Sequence, residues 1–230
     1  MGLLEQLYEE VLVAAFPRDE LDEPWWTPQG SSRAPTLTIV ALDRDDRVIG
    51  GVVGEWYEEE RTLLIAYLAV RRNARRAGVG TKLMTAAATT WYPRLRPLLV
   101  LGELRDPRHH STDDEYAEAR VGFYDRLGAK ALAVPYFQPR LRPTGQRVYH
   151  MLLSAFYIAP EASDQPDTVD ARLVLAFLDR YIIECEGEVA RANDPAVRWL
   201  RRLVVNEPLI RILALRRYRE VPDPQPPGAP

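Results

Sequence analysis

Arg75-Arg76-Ala77-Gly78-Val79-Gly80 stands between a β-rich run that ends at Val70 and a stretch of helical periodicity from about Gly80 to Trp91. No other feature restricts the fold as much, because a glycine-bearing turn from strand into helix commits both neighbours to a layered α/β arrangement. The turn also has chemical content. A helix N-terminus gathers several unsatisfied N–H groups at the positive end of the helix dipole, which is what a pyrophosphate requires. Gly78 and Gly80 have no side chains to hold phosphates away from the backbone, and Arg75 or Arg76 can add charge-assisted hydrogen bonds. A dinucleotide-binding fold of repeated βαβ units uses a similar turn, but two features oppose it. The motif follows the third strand of a largely antiparallel set, and no acidic residue ends the next strand of a repeated unit.

The flanking runs give the order of elements. Leu3, Leu4, Leu7, Tyr8, Val11, Leu12 and Ala15 recur at helical spacing, and Pro17 ends that helix. Trp25 and Trp26 follow in a proline-containing loop. Leu37 to Leu42 and Val48 to Trp56, separated by Asp43-Arg44-Asp45-Asp46, read as an antiparallel hairpin, with Thr62 to Val70 as a third strand. Beyond the Gly80 helix come a strand at Leu98 to Glu103 and a helix at Thr112 to Leu127 that Gly128 stops. Ala131 to Val134 and Val148 to Ile158 complete the sheet.

After Pro160 the pattern shifts. Val169, Leu173, Phe177, Tyr181, Cys185 and Val189 fall every fourth residue and predict one long helix. Asn193-Asp194-Pro195 and Asn206-Glu207-Pro208 each place a capping side chain before a proline, predicting two further short helices. Five prolines between Val221 and Pro230 predict disorder. The expected organisation is a core over 1–159, a helical extension over 160–220 and a disordered tail over 221–230, since 230 residues exceed one ordinary compact domain.

Composition removes several function classes. The apolar stretches are broken well before the roughly 18 residues of a membrane span, and no basic-then-apolar leader is present, so the expected compartment is the cytoplasm with no membrane partner. Cys185 is a single cysteine, so no internal disulfide forms. Three histidines and one cysteine predict no metal-ligand cluster, and the adjacent His109 and His110 read as loop residues. A formal charge of −3 does not point to nucleic acid.

Leu68-Ala69-Val70, a four-residue spacer and then Arg75-x-x-Gly78-x-Gly80 resembles the coenzyme motif of the GNAT acetyltransferase superfamily, and the order of elements from Leu3 to Ile158 agrees. The resemblance implies an α/β fold of the α+β type, with a mixed, mostly antiparallel central sheet flanked by helices, here followed by a helical extension. It implies acetyl-CoA as acyl donor. The pyrophosphate would lie on the amides of Arg76, Gly78, Val79, Gly80 and Thr81, and the pantetheine arm would pair with the backbone of Leu68 and Val70. Arg72 departs from the family, where many members carry proline, which bears on loop stiffness rather than phosphate binding.

A second stretch, Ala119 to Gly128, resembles the family's helix ending in Phe-Tyr-x-x-Leu-Gly. Acyl transfer expels a thiolate that a phenol can protonate, making Tyr124 the candidate general acid and leaving Phe123 to packing. An amine acceptor arrives protonated and needs a base. Glu103, at the end of its strand, is the leading candidate, followed by Asp106 in the next loop. A solvated loop charge is the plain alternative for both. Asp113, Asp114 and Glu115 read as charges serving the N-terminal turn of the following helix. Trp25, Trp26, Tyr136 and Phe137 are either the lining of an acceptor pocket or local plugs over the sheet edge.

From Arg191 to Arg219 eight arginines face only Asp194 and Glu207. They read as the solvated face of helices whose apolar side packs on the core or on a second subunit, as in a homodimer; docking to an acyl carrier protein or to nucleic acid is the alternative. Three functions are consistent with all of this. One is an acetyl-CoA-dependent N-acetyltransferase acting on a small amine by direct attack. The second is an acyltransferase taking longer chains or a carrier protein docked on the arginine-rich tail. The third is a catalytically silent acyl-CoA-binding module.

Overall fold

In the computed structural model the chain forms two compact units, Met1–Pro97 and Leu98–Pro230. Residues 2–27, 34–110 and 116–228 are described. The architecture is mixed α/β with open, largely antiparallel sheet and flanking helices, as expected.

The first unit is a meander of β1 (Thr36–Leu42), β2 (Val48–Tyr57) and β3 (Thr62–Val70). All its pairings are antiparallel, with Ile39 opposite Val52 and Gly50 opposite Val70. Asp43 closes the first hairpin by accepting the amides of Asp45 and Arg47 through Oδ1, an Asx-type turn that explains the Asp-rich connection. The N-terminal helix is α1 (Leu3–Leu7) continued by a π-helical turn at Tyr8–Leu12. Its apolar stripe joins Leu7, Tyr8, Val11 and Leu12 to Val48, Val53, Tyr67 and Ala69 of the sheet in one core. Close packing there depends on Gly51, where a Cβ would come within 2.6 Å of Leu7. Helix α2 (Val79–Leu95) packs on the same three strands.

The second unit is built on β7 (Val148–Ile158). It pairs antiparallel with β4 (Leu99–Arg105), β5 (Lys130–Leu132) and β6 (Tyr136–Gln138). Between β4 and β5 lie α3 (Pro107–His110) and α4 (Ala117–Arg126). Gly128 has φ +85, and the amide of Ala129 returns to the Tyr124 carbonyl, so this helix stops as expected. Residues Asp113, Asp114 and Glu115 lie outside the described residues.

Beyond Pro160 the structure departs from the sequence expectation in four places. Val169 belongs to β8 (Thr168–Asp170), and α5 runs only from Ala171 to Glu186, because Gly187 at φ +88 ends it. Its buried face is Val174, Phe177, Leu178, Tyr181 and Ile182, an alternating three- and four-residue spacing. A strict fourth-residue row drifts around a helix of 3.6 residues per turn, and Val189 at its end is 76% exposed. After α6 (Glu188–Asn193) and α7 (Pro195–Val204), the second predicted helix is instead β9 (Leu209–Ala214), which pairs antiparallel with β5 and β8. The proline-rich end is also anchored: Val221 is buried at 3% exposure. Among the described residues no helix is long and apolar enough to cross a membrane.

The Asp194 cap is the expectation best supported by atomic detail. Its carboxylate accepts the amides of Ala196 and Val197 at 2.9 and 3.1 Å and also receives Arg147. Asp194→Ala is expected to lower unfolding stability by about 1–2 kcal/mol, the cost of losing a helix cap. A urea midpoint equal to wild type would show that the cap contributes nothing.

Candidate active site

The coenzyme-motif residues lie in the first unit. Strand β3 alternates buried Tyr67 and Ala69 with half-buried Leu68 and Val70. The turn after it is tied down by Arg71, whose amide and Nε donate to Ile49 and Val48 carbonyls and whose guanidinium pairs with Glu10. Arg75 folds back and donates from Nε to the Val70 carbonyl at 3.1 Å. Arg76 and Gly78 have φ of +66 and +75, the left-handed geometry that turns the chain into α2.

Gly78 is the N-cap of α2, and no side chain caps the helix or places an acid in its first turn. The first helical bond runs from Lys82 N–H to the Gly78 carbonyl. The preceding amides, Val79, Gly80 and Thr81 among them, are left without helical acceptors. This donor set fits an anionic pyrophosphate; Arg76, two residues before Gly78, is exposed, and Arg75 is held by Val70.

The proton-handling candidates lie in the second unit. Glu103 on β4 accepts hydrogen bonds from Tyr136 Oη at 2.5 Å, Gln138 Nε2 at 2.8 Å and Tyr181 Oη at 3.1 Å. Burial first, then the Glu103 charge and hydrogen bond, push the Tyr136 hydroxyl well above its ordinary pKa, so it acts as donor. Sequence reasoning named Glu103 and Tyr136 but not their grouping. Gln138 and Tyr181 went unassigned because β6 and α5 bring them in from distant segments.

Tyr124, on α4, is buried at 8% exposure and packs edge-on against Phe123 and Phe156 at 5.0 and 5.1 Å. Burial raises its pKa to about 12, with the Arg120 charge acting in the opposite direction. Its hydroxyl has no hydrogen-bond partner among the described residues.

Each of the remaining candidates has its own local contacts. Trp25 and Trp26 contact each other at 4.9 Å and both meet the Tyr8 ring. Phe137 is 1% exposed and lies beneath the Arg147 guanidinium. Asp106 is 1% exposed, and its carboxylate takes the Arg108 amide and guanidinium.

The composition predicts no metal-ligand cluster, yet two of the histidines converge with a carboxylate. His109 sits on α3 rather than in a loop, and with His150 and Asp223 it places three potential ligand atoms within 4.8 Å of one another. Burial pushes the Asp223 carboxyl up, but hydrogen bonds from His150 and His109 hold it below its ordinary pKa.

The acetyltransferase (GNAT) family model matches residues 3–129, more than half the chain, and the chain belongs to that family. It is therefore an acyltransferase of the N-acetyltransferase class, whose acetyl donor is acetyl-CoA. Among solved structures the chain is similar to a GNAT-family protein from Bacteroides thetaiotaomicron, at 22% identity over 64% of this chain and 76% of that one, with TM-score 0.48. It is also similar to the ribosomal-protein-S18-alanine N-acetyltransferase of Escherichia coli (15% identity, 66% and 85% coverage, TM-score 0.41). A third is an aminoglycoside 6'-N-acetyltransferase complexed with coenzyme A (15%, 54% and 75%, TM-score 0.38). These likenesses are too distant to assign an acceptor. No curated protein matches the sequence.

Proposed function

We propose that this chain transfers the acetyl group of acetyl-CoA to the amine of a small-molecule acceptor by direct attack. The observation that carries the donor assignment is the uncapped α2 N-terminus, with Gly78 left-handed and the first-turn amides lacking helical acceptors. In the proposed reaction Glu103 takes one ammonium proton, the freed amine attacks the thioester carbonyl carbon, the C–S bond breaks as Tyr124 gives its phenolic proton to the departing sulfur, and the second excess proton on nitrogen is lost to solvent to leave the neutral amide. Both proton-handling groups then return to their starting states through solvent. The α2 amides and Arg76 hold the pyrophosphate, and Leu68 and Val70 offer backbone groups to the pantetheine arm.

The small-molecule acceptor is favoured over a docked carrier protein by the state of the arginine-rich segment. Arg191 and Arg201 pair with Asp179, Arg216 with Asp125, Arg217 with Glu220 and Arg219 with Glu118. Five of the eight arginines are thus engaged within the chain. Thiol release from acetyl-CoA across a panel of amines tests the activity, and no release with any amine would leave the silent binding module standing.

Glu103→Gln tests the base. Loss of a general base is expected to lower kcat by about 10²-fold or more with KM for acetyl-CoA little changed. Unchanged kcat with a lowered unfolding midpoint would instead make Glu103 an anchor for Tyr136, Gln138 and Tyr181.

A further inference from the structure

His109 on α3, His150 on β7 and Asp223 in the C-terminal segment come from three separate stretches of the second unit, yet their side chains converge. His150 Nδ1 lies 3.2 Å from Asp223 Oδ1, and His109 Nε2 meets Oδ2 of the same carboxylate. The two imidazoles stack at 3.9 Å with planes 17° apart. The convergence is built rather than incidental. His150 has a left-handed backbone, φ +55, which a non-glycine residue adopts only when its surroundings enforce it.

Asp106 is the node of that enforcement. Its amide donates to the His150 carbonyl, and its own carbonyl accepts the His109 amide, both at 3.0 Å. Its carboxylate fixes Arg108, which donates from Nη1 to the carbonyls of Arg219 and Val221. The chain is thus clamped two residues before Asp223.

We propose that His109, His150 and Asp223 form a divalent transition-metal site, with zinc the best-matched ion. Two imidazole nitrogens and one carboxylate oxygen suit zinc and its neighbours, whereas calcium and magnesium take oxygen ligands. Each histidine nitrogen faces an Asp223 oxygen as a hydrogen-bond partner. A cation displaces the protons of those hydrogen bonds and draws the three ligand atoms from within 4.8 Å to the roughly 3.3 Å spacing set by bonds of about 2.0–2.1 Å. An imidazole nitrogen binds a metal in the plane of its ring, so the two rings also turn out of their stack as the ion enters. The side chains are 34%, 18% and 25% exposed in the order His109, His150, Asp223, which leaves a further coordination position open to water or another ligand. The site is independent of the acetyl-transfer reading.

Calorimetric titration of the chelator-treated full chain with zinc chloride tests this, with visible absorption of the cobalt(II) form as a second readout. One equivalent of zinc is expected to bind. His109→Ala and Asp223→Asn should weaken binding by more than the roughly 10- to 100-fold that loss of an outer-layer partner costs, Arg108→Gln by about that range, and His110→Ala not at all. Thermal unfolding with and without zinc separates loss of ligation from loss of fold: His109→Ala and Asp223→Asn should stay near the metal-free wild-type midpoint and lose the zinc-induced rise, which His110→Ala should keep. Absence of stoichiometric zinc uptake by the wild-type chain, or uptake undiminished in both ligand variants, would overturn the proposal.

Discussion

Tyr124→Phe is expected to lower kcat by about 10²- to 10⁴-fold, the contribution of a positioned general acid, while KM for acetyl-CoA stays nearly constant. The fold should tolerate the change. The hydroxyl has no partner among the described residues, and the ring contacts with Phe123 and Phe156 are kept by phenylalanine. Unfolding free energy near neutral pH is therefore expected to stay within about 0.5 kcal/mol of wild type.

The alkaline range supplies an independent check. The folded-state pKa is raised from 10.0 to about 12, so between those values the native phenol holds a proton that the unfolded chain has released. Stability from this group is complete below pH 10 and declines as pH rises through about 12. In Tyr124→Phe that part of the alkaline decline should be missing. Wild-type turnover in the variant, measured by thiol release, would remove Tyr124 from the chemistry.

Gly78→Val is expected to weaken acetyl-CoA binding by roughly 5- to 150-fold, corresponding to the ~1–3 kcal/mol of holding a side-chain-bearing residue in a sparsely populated backbone region. A Cβ at Gly78 meets nothing within 4 Å, so the cost is conformational and not steric. If the φ of +75 relaxes, the N–H groups of Val79, Gly80 and Thr81 lose their common direction. Gly78→Asn should lose less, because asparagine tolerates the left-handed region better than valine does. Calorimetric affinity equal to wild type in Gly78→Val would mean that coenzyme binding does not depend on this turn.

The elements legible in the sequence are those whose signals are local. The β1–β3 meander shows as β-rich runs joined by turn residues, the α2 entry by Gly78 and Gly80, the α4 stop by Gly128 and the α7 cap by Asp194. What was misread depends on partners far along the chain. Asn206-Glu207-Pro208 satisfies a helix-start pattern, but Leu209-Ile210-Arg211-Ile212-Leu213 is β-rich and finds β5 and β8 to pair with. Tertiary pairing overrides the cap signal there. Tyr136–Gln138 is too short to announce a strand and becomes one against β7.

The same holds for the site. The coenzyme turn is a contiguous motif and could be read directly. The hydrogen bonds that Tyr136, Gln138 and Tyr181 make to Glu103, and the approach of His109, His150 and Asp223, leave no spacing signature because each joins three segments. The prolines after Val221 spoke for disorder until Arg108 supplied acceptor-matched donors to the carbonyls of Arg219 and Val221.

The pairing of β9 with β5 has a consequence for synthesis. Lys130 lies opposite Ala214, so β5 keeps one unpaired edge until Leu209–Ala214 has left the ribosome. The first unit completes its three-stranded meander and its α2 packing within the residues up to Pro97. During translation the second unit carries an open strand edge, the form most able to recruit a neighbouring chain. Premature termination before Leu209 should therefore yield a product that aggregates rather than a shortened enzyme.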